Sequence, residues 1–433
     1  MYVSDITRSH PAGILQLIPG RGLMANISNP FYAVAGFLAL TILPYFVPLE
    51  YMAIVKVYGP GTHLFISAVL AGLLLSAYAL YAGLFQPRLA PMPLRADDDL
   101  PNLMFTAMRA MMLLGLLANL AIVLYALKDL PGGVFAMKRA LADFEGVNIL
   151  SQSYLFALGP FLYLAVGLGK PWKRILLLLA AVLFVRGFIM AERLALLEFA
   201  IPALVVLSLL RLVIIRLTHI VMIGLGVPAL FVLGEIFRSF YAKFVREGGW
   251  NQLELGFILQ WNLERLALYY IDTLNKFYFQ LKYQYFHITE FYAEGTLKML
   301  SRLGLAERPL DTVLDPLVSS FNYGAEEMTN PGGLAVLLSD FGWVGLAVFA
   351  VFVLILFATH WLALRGGIVA LGLYPILYLT MLEMPRFVYL YLSRALFPFL
   401  LFLGVVLLVS LVSRRTPSRA SAEPPGRPSP RGA

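Results

Sequence analysis

Cysteine is missing from the 433-residue chain, which excludes disulfide, zinc-thiolate and thiol-nucleophile chemistry. Charge is also scarce: Asp, Glu, Lys and Arg make up 13% of residues against 60% hydrophobic, and the mean hydropathy is +0.80. That composition is too apolar for an ordinary soluble globule and points to an all-α polytopic membrane protein. Histidine is sparse, at 10, 63, 219, 287 and 360, without the helical spacing of zinc ligands, so no metal site is expected. The stretch Gly167-Leu168-Gly169-Lys170 lacks the first glycine and the Ser/Thr of a phosphate-binding loop, and Pro171 follows at once. Asp97, Asp98 and Asp99 lie beside Arg88 and Arg95 and read as a solvated loop. No cofactor is expected. The first thirty residues lack a basic segment leading into an apolar core and a small-residue cleavage site, so the first membrane helix is expected to stay in the mature protein.

Runs of about 20 apolar residues cross a bilayer core as helix. About ten are present, near 31–49, 61–84, 104–127, 153–169, 175–191, 194–210, 217–237, 333–358, 366–382 and 387–411. As one helix, 175–210 would be about 54 Å long, nearly twice the core thickness. It is expected to fold as a hairpin with its apex near Glu192. Lys and Arg in short loops mark the cytoplasmic side. They gather at Lys170, Lys173 and Arg174, at Arg211 and Arg216, at Arg365, and in the tail at Arg414, Arg415, Arg419, Arg427 and Arg431. Both termini are therefore expected in the cytoplasm. The net charge of +8 belongs to these loops and the tail, so no nucleic-acid partner is expected.

This register divides the chain into an N-terminal membrane region over 1–237 with about seven spans, a large outer loop over 238–332, a C-terminal membrane region over 333–411 with about three spans, and a basic tail over 412–433. The tail is rich in Pro, Ser and Arg and is expected to be disordered. The outer loop carries nine Lys or Arg and eleven Asp or Glu, near neutrality. Its aromatic stretch LERLALYYIDTLNKFYFQLKYQYFHITEFY repeats apolar positions every three or four residues, the mark of amphipathic helices on or just above a membrane. Flat amphipathic rings suit both an interfacial belt and a carbohydrate-facing wall.

Charges inside spans are expensive, so they face protein or water. Glu192 and Arg193 fall at the hairpin apex, while Arg186 and Glu198 lie at similar depth on its two arms, where an ion pair is plausible. Glu235 and Arg238 end the seventh span, Asp340 is early in the eighth, Glu383 and Arg386 form the turn before the tenth, and Arg394 lies inside it. All fall toward the side of the large loop. Guanidinium forks bind phosphate oxygens bidentately, so arginines at that depth fit an anionic lipid-linked substrate.

The stretches ERLALLEFAIP (192–202), LERLALYYIDTLN (263–275) and TNPGGLAVLLSDFGWVG (329–345) resemble the oligosaccharide repeat unit polymerases, the Wzy-type O-antigen polymerases of bacterial inner membranes. The resemblance covers roughly 175–400. Family members often carry an aromatic after the Asn-Pro, whereas this chain has Asn330-Pro331-Gly332-Gly333. The family's many spans and large late outer loop fit, and the fold expected is similar to GT-C-type membrane glycosyltransferases. The resemblance implies an inverting, metal-independent transfer between two undecaprenyl-pyrophosphate-linked glycans on the periplasmic face. It also implies a chain-length-regulating co-polymerase as partner, beside the membrane lipids. Physically, such a reaction needs an anion clamp on the leaving group and a base for the attacking hydroxyl. The clamp candidates are Arg193, Arg386, Arg265 and Arg186. Those for the base are Glu198, Glu192, Asp340 and His287, and those for sugar binding are Tyr269, Tyr270 and Asn275. An O-antigen ligase and a lipid-linked oligosaccharide flippase are the alternatives.

Overall fold

The structure, a computed structural model, describes residues 27–50, 56–85, 99–128, 145–189, 193–213, 226, 229, 255–284, 332–389 and 393–415. These residues form helices and connecting turns, with no strand among them. In chain order the helices are α1 (Pro30–Ile42), α2 (Pro60–Phe85), α3 (Asp99–Ala126), α4 (Glu145–Leu150), α5 (Tyr154–Gly167), α6 (Lys173–Ile189), α7 (Arg193–Leu209), α8 (Leu255–Tyr283), α9 (Gly333–Phe341), α10 (Val344–Leu364), α11 (Ile368–Glu383) and α12 (Ser393–Arg415). A 3-10 turn, Leu43–Phe46, follows α1. The predicted span at 217–237, the tail from 416, Glu192 and His287 lie outside the described residues.

Among the described residues, five segments are long and apolar enough to cross a membrane: Pro60–Phe85, Asp99–Ala126, Gly146–Gly167, Val344–Leu364 and Ala395–Ser413. Their outward faces are hydrocarbon, with Leu64, Phe65, Leu73, Leu80 and Leu84 exposed on α2 and Leu400, Leu407, Leu408 and Leu411 on α12. The interior carries the asparagine, arginine and carboxylates. Apolar outside and polar inside is the arrangement a chain takes in lipid, where each buried polar group must find its partner within the protein.

Local sequence sets the helix ends. Asn29 caps α1, its Oδ1 accepting from the Phe31 amide at 2.9 Å, and Pro30 occupies the first turn, where no amide donor is needed. The predicted span 333–358 is not one helix. It breaks at Gly342, whose φ of +56° leaves the right-handed helical region, and Gly345 then packs on the backbone of Leu337. The nine-residue α9 is too short to span, and α10 carries the crossing. The Arg186–Glu198 hairpin is observed, with α6 and α7 packed together.

Among the described residues, two apolar cores share α7 and α11. One gathers residues of α1, α2, α7, α8, α9, α10 and α11, and the other those of α3, α5, α6, α7, α11 and α12. Nearly every residue of α11 from Ala370 to Glu383 is buried, as expected of a helix that is apolar all round.

Side-chain contacts fix the direction of the bundle. Ser153 Oγ donates to the Met111 carbonyl and Asn119 Nδ2 to that of Ser151, so α3 and α5 run antiparallel. Tyr154 packs on Phe199 at 6.1 Å and Phe156 on Phe399 at 5.2 Å, which brings the starts of α5, α7 and α12 to one end. Gly372, near the start of α11, packs on the Phe156 carbonyl, and the end of α11, eleven residues on, meets the start of α9 through the Gly333 amide and the Met384 carbonyl. The opposite end holds Lys170, Lys173, Arg174, Arg211 and Arg365, each in a short connection or at a helix terminus.

The aromatic helix is packed against the end of the bundle where α9 begins. Over 29 residues, about 43 Å, α8 buries Asn262, Glu264, Asp272, Thr273, Asn275, Lys276 and Gln280 as well as Ile271 and Leu274. Its periodicity is real, but from Glu264 to Gln280 both faces are covered: one meets the 3-10 turn and the chain after it, the other meets α9 and the turn after α11.

Candidate functional site

The turn Met384–Arg386, the start of α9 and the middle of α8 meet at one point. Gly332 takes φ +81°, open to glycine and strained for other residues. Its amide donates to the Arg386 carbonyl at 2.8 Å, and a Cβ there would lie 3.0 Å from the Thr273 carbonyl oxygen on α8. The Gly333 amide donates to the Met384 carbonyl at 3.1 Å. The Arg386 amide is in turn held by the Glu383 carbonyl at 2.8 Å. Gly332 and Gly333 therefore let three segments touch backbone to backbone.

Arg386 lies on this frame. Nη1 donates to Glu383 Oε2 at 2.9 Å, and the guanidinium sits 5.5 Å from the Tyr269 ring centre and 5.3 Å from that of Phe387. Nε is buried without a hydrogen-bond partner, while 18% of the side-chain surface stays exposed. Burial disfavours the charge, but Glu383 first, then Tyr270 and Tyr269, outweigh it, and the pKa sits above its ordinary value. Tyr270 is buried beside the pair. Burial, reinforced by Glu383 and opposed by Arg386, raises its phenol well above the usual range, so it remains a protonated hydroxyl. Of the residues predicted from sequence, Arg386, Tyr269 and Tyr270 are brought together here.

The others are placed elsewhere. Arg186 is fully buried in a cradle of neutral oxygens: Nη1 donates to Asn119 Oδ1 at 2.7 Å and Ser151 Oγ at 3.0 Å, and Nη2 to Asn148 Oδ1 at 3.1 Å. Glu198 is fully buried on the neighbouring α7. Arg193 opens α7, and its side chain is outside the described residues. Asp340 is buried near the end of α9, two residues before the break at Gly342. Arg265 is buried with its guanidinium 5.2 Å from the Trp261 ring. Asn275 accepts from the Val57 amide at 3.1 Å through Oδ1 and ties α8 to the chain ahead of α2. Farther along α8, Glu264 accepts from the Glu50 amide at 2.9 Å, and Tyr278 is hydrogen-bonded to His63.

Two features were not singled out from sequence. Glu383 was placed only as a neighbour of Arg386 in a turn, yet it is that arginine's acceptor. Their separation of three residues at a helix end was the available signal. Asp272 and Lys276 form an ion pair at 2.7 Å with both side chains 2% exposed. Burial raises the Asp272 carboxyl above the usual carboxylate range, and Lys276 partly offsets the shift. Here the signal was the four-residue spacing inside an otherwise aromatic helix. Among the described residues, no group of His, Asp and Glu is disposed to hold a metal ion.

In comparison with known proteins, the chain matches no family model, no curated protein and no solved structure.

Proposed function

We propose that the protein is a membrane glycosyltransferase of the Wzy type, polymerising undecaprenyl-pyrophosphate-linked repeat units on the outer face of a bacterial inner membrane. The observation that carries this reading is Arg386: a guanidinium with a buried, unpartnered Nε, set against Tyr269 and Tyr270 at the end of the bundle opposite the basic loops. Basic loops mark the cytoplasmic side, so this end faces outward and both termini lie inside. About ten spans, with 238–332 as the outer loop, complete the reading.

In the reaction, an acceptor hydroxyl attacks C1 of the donor glycan's reducing-end sugar from the face opposite the lipid pyrophosphate. The C1–O bond to the pyrophosphate breaks as the new glycosidic bond forms, inverting the configuration. Negative charge grows on the departing oxygen, and Arg386 is the described cation best placed to meet it. Tyr269 offers a half-buried ring for a sugar face and Tyr270 a neutral hydroxyl. The attacking hydroxyl passes its proton to a base; Glu198 and Asp340 are fully buried apart from Arg386 and are not assigned that role.

The test is incubation of the purified protein with a lipid-linked repeat unit, without nucleotide sugar, and separation of the products on a gel. A ladder of lengthened, lipid-linked glycans is the expected result. Transfer only to a lipid A core acceptor would make the protein a ligase, and glycan movement across proteoliposomes without a ladder would make it a flippase.

A further inference from the structure

Arg386 has three guanidinium nitrogens, and the structure divides them. Nη1 is committed to Glu383 Oε2 at 2.9 Å, the side chain's one hydrogen bond among the described residues. Nε is buried and unpartnered. The edge formed by Nε and Nη2, whose two N–H bonds point the same way, is the edge that grips two oxygens of a phosphate at once. Glu383 sits on the other edge. Its own position is fixed, since its carbonyl accepts from the amides of Arg386 at 2.8 Å and Phe387 at 2.9 Å, and its side chain is 5% exposed. The Arg386 carbonyl is held from the other side by the Gly332 amide.

We propose that Glu383 is a positioning residue: by binding Nη1 it fixes the rotation of the Arg386 guanidinium, so that the Nε–Nη2 edge is presented to a phosphate. The inference rests on the anion-binding role of Arg386 in the proposed function. It has a consequence opposite in sign to simple electrostatics. A carboxylate beside an anion site repels the anion, so deleting it should tighten binding if charge were its only effect. A carboxylate that aims the fork does the reverse when deleted, because a freely rotating arginine must be ordered again at each binding event.

The experiment uses the full chain in nanodiscs of zwitterionic lipid, with inorganic pyrophosphate as the calorimetric probe and thermal melting as the check on folding. Glu383→Ala is expected to bind roughly tenfold more weakly than the parent, the scale of losing one charge-assisted hydrogen bond. Glu383→Gln keeps an acceptor for Nη1 and is expected to bind within about threefold of the parent or more tightly. Glu383→Asp keeps the charge but retracts it by one methylene, and is expected to bind several-fold more weakly at an unchanged melting temperature. In polymerisation assays Glu383→Ala should raise KM for the lipid-linked substrate more than it lowers kcat. Equal or tighter binding by both Glu383→Ala and Glu383→Asp overturns the positioning role while leaving Arg386 as the anion ligand. If Arg386→Ala binds pyrophosphate as the parent does, or the parent binds none, the anion site itself fails and the inference with it.

Discussion

The Gly333 amide donates to the Met384 carbonyl at 3.1 Å, and a methyl group on Gly333 would stand 2.4 Å from that same oxygen. The contact joins α9 to the turn that carries Arg386, and neither backbone can retreat without breaking a hydrogen bond. Gly333→Ala is therefore expected to cost about 1–3 kcal/mol, the range for overpacking a tight site. Because Arg386 is two residues from Met384, activity should fall further than stability. Thermal melting beside a polymerisation assay checks this: an alanine variant with the parent's melting temperature and rate would show that the turn absorbs the methyl group freely.

Arg186 leads to the opposite expectation. It was read from sequence as a clamp candidate, yet its guanidinium is fully buried, with three bonds to Asn119, Ser151 and Asn148. Arg186→Ala leaves those acceptors buried and short of a donor, and should cost about 1–3 kcal/mol, the scale of leaving a buried polar group unsatisfied. The loss should appear as lower yield and melting temperature. An Arg186→Ala protein that melts like the parent but no longer binds pyrophosphate would return this residue to the substrate site.

Much of the helical framework was legible because hydrocarbon must face lipid. The runs at 61–84 and 104–127 became α2 and α3 almost unchanged, and the long apolar stretch 175–210 is divided between α6, ending at Ile189, and α7, opening at Arg193. Two things were not legible. The break at Gly342 hides inside a continuous apolar run, because periodicity and length cannot register one residue with φ +56°. The burial of α8 was also hidden: a helix with charges and rings all round reads as a surface helix, and only tertiary partners such as Glu50, Val57 and Thr273's neighbour Gly332 turn its polar side inward. At the site, sequence supplied Arg386, Tyr269 and Tyr270 from types and approximate depth. It gave no means of ranking Arg386 above Arg186, since that ranking depends on which nitrogens are already bonded.

The Asp272–Lys276 pair on α8 allows a test through pH. The folded-state pKa of Asp272 is raised by burial, so folding favours its protonated form. Its contribution to stability is therefore greatest below the ordinary carboxylate range and is lost as pH rises through the raised folded value. Replacing Lys276 alone with Met removes the partner that offsets this shift, and should cost about 3–5 kcal/mol at neutral pH. Asp272→Leu combined with Lys276→Met should lie within about 1–2 kcal/mol of the parent, because two desolvation costs vanish with the one attraction. Melting curves from pH 4 to 8 on the three proteins give the comparison. A double variant as unstable as Lys276→Met would mean the pair is not the unit that matters.

Arg386→Lys isolates geometry from charge. Lysine keeps the cation but offers a single ammonium in place of two parallel donors, and from the same Cα it cannot serve Glu383 and a phosphate on opposite edges. If Arg386 holds the leaving pyrophosphate bidentately, kcat/KM for polymerisation should fall about 10–100-fold with protein yield unchanged, the range for losing a strong transition-state donor or somewhat less. The loss should divide between KM and kcat, because the pyrophosphate is bound in the ground state and gains charge on its bridging oxygen as C1–O breaks. A lysine variant with full kcat/KM would mean a point charge is sufficient, and the bidentate role would then have to be sought at Arg193, the other clamp candidate at the end of the bundle where α7 begins.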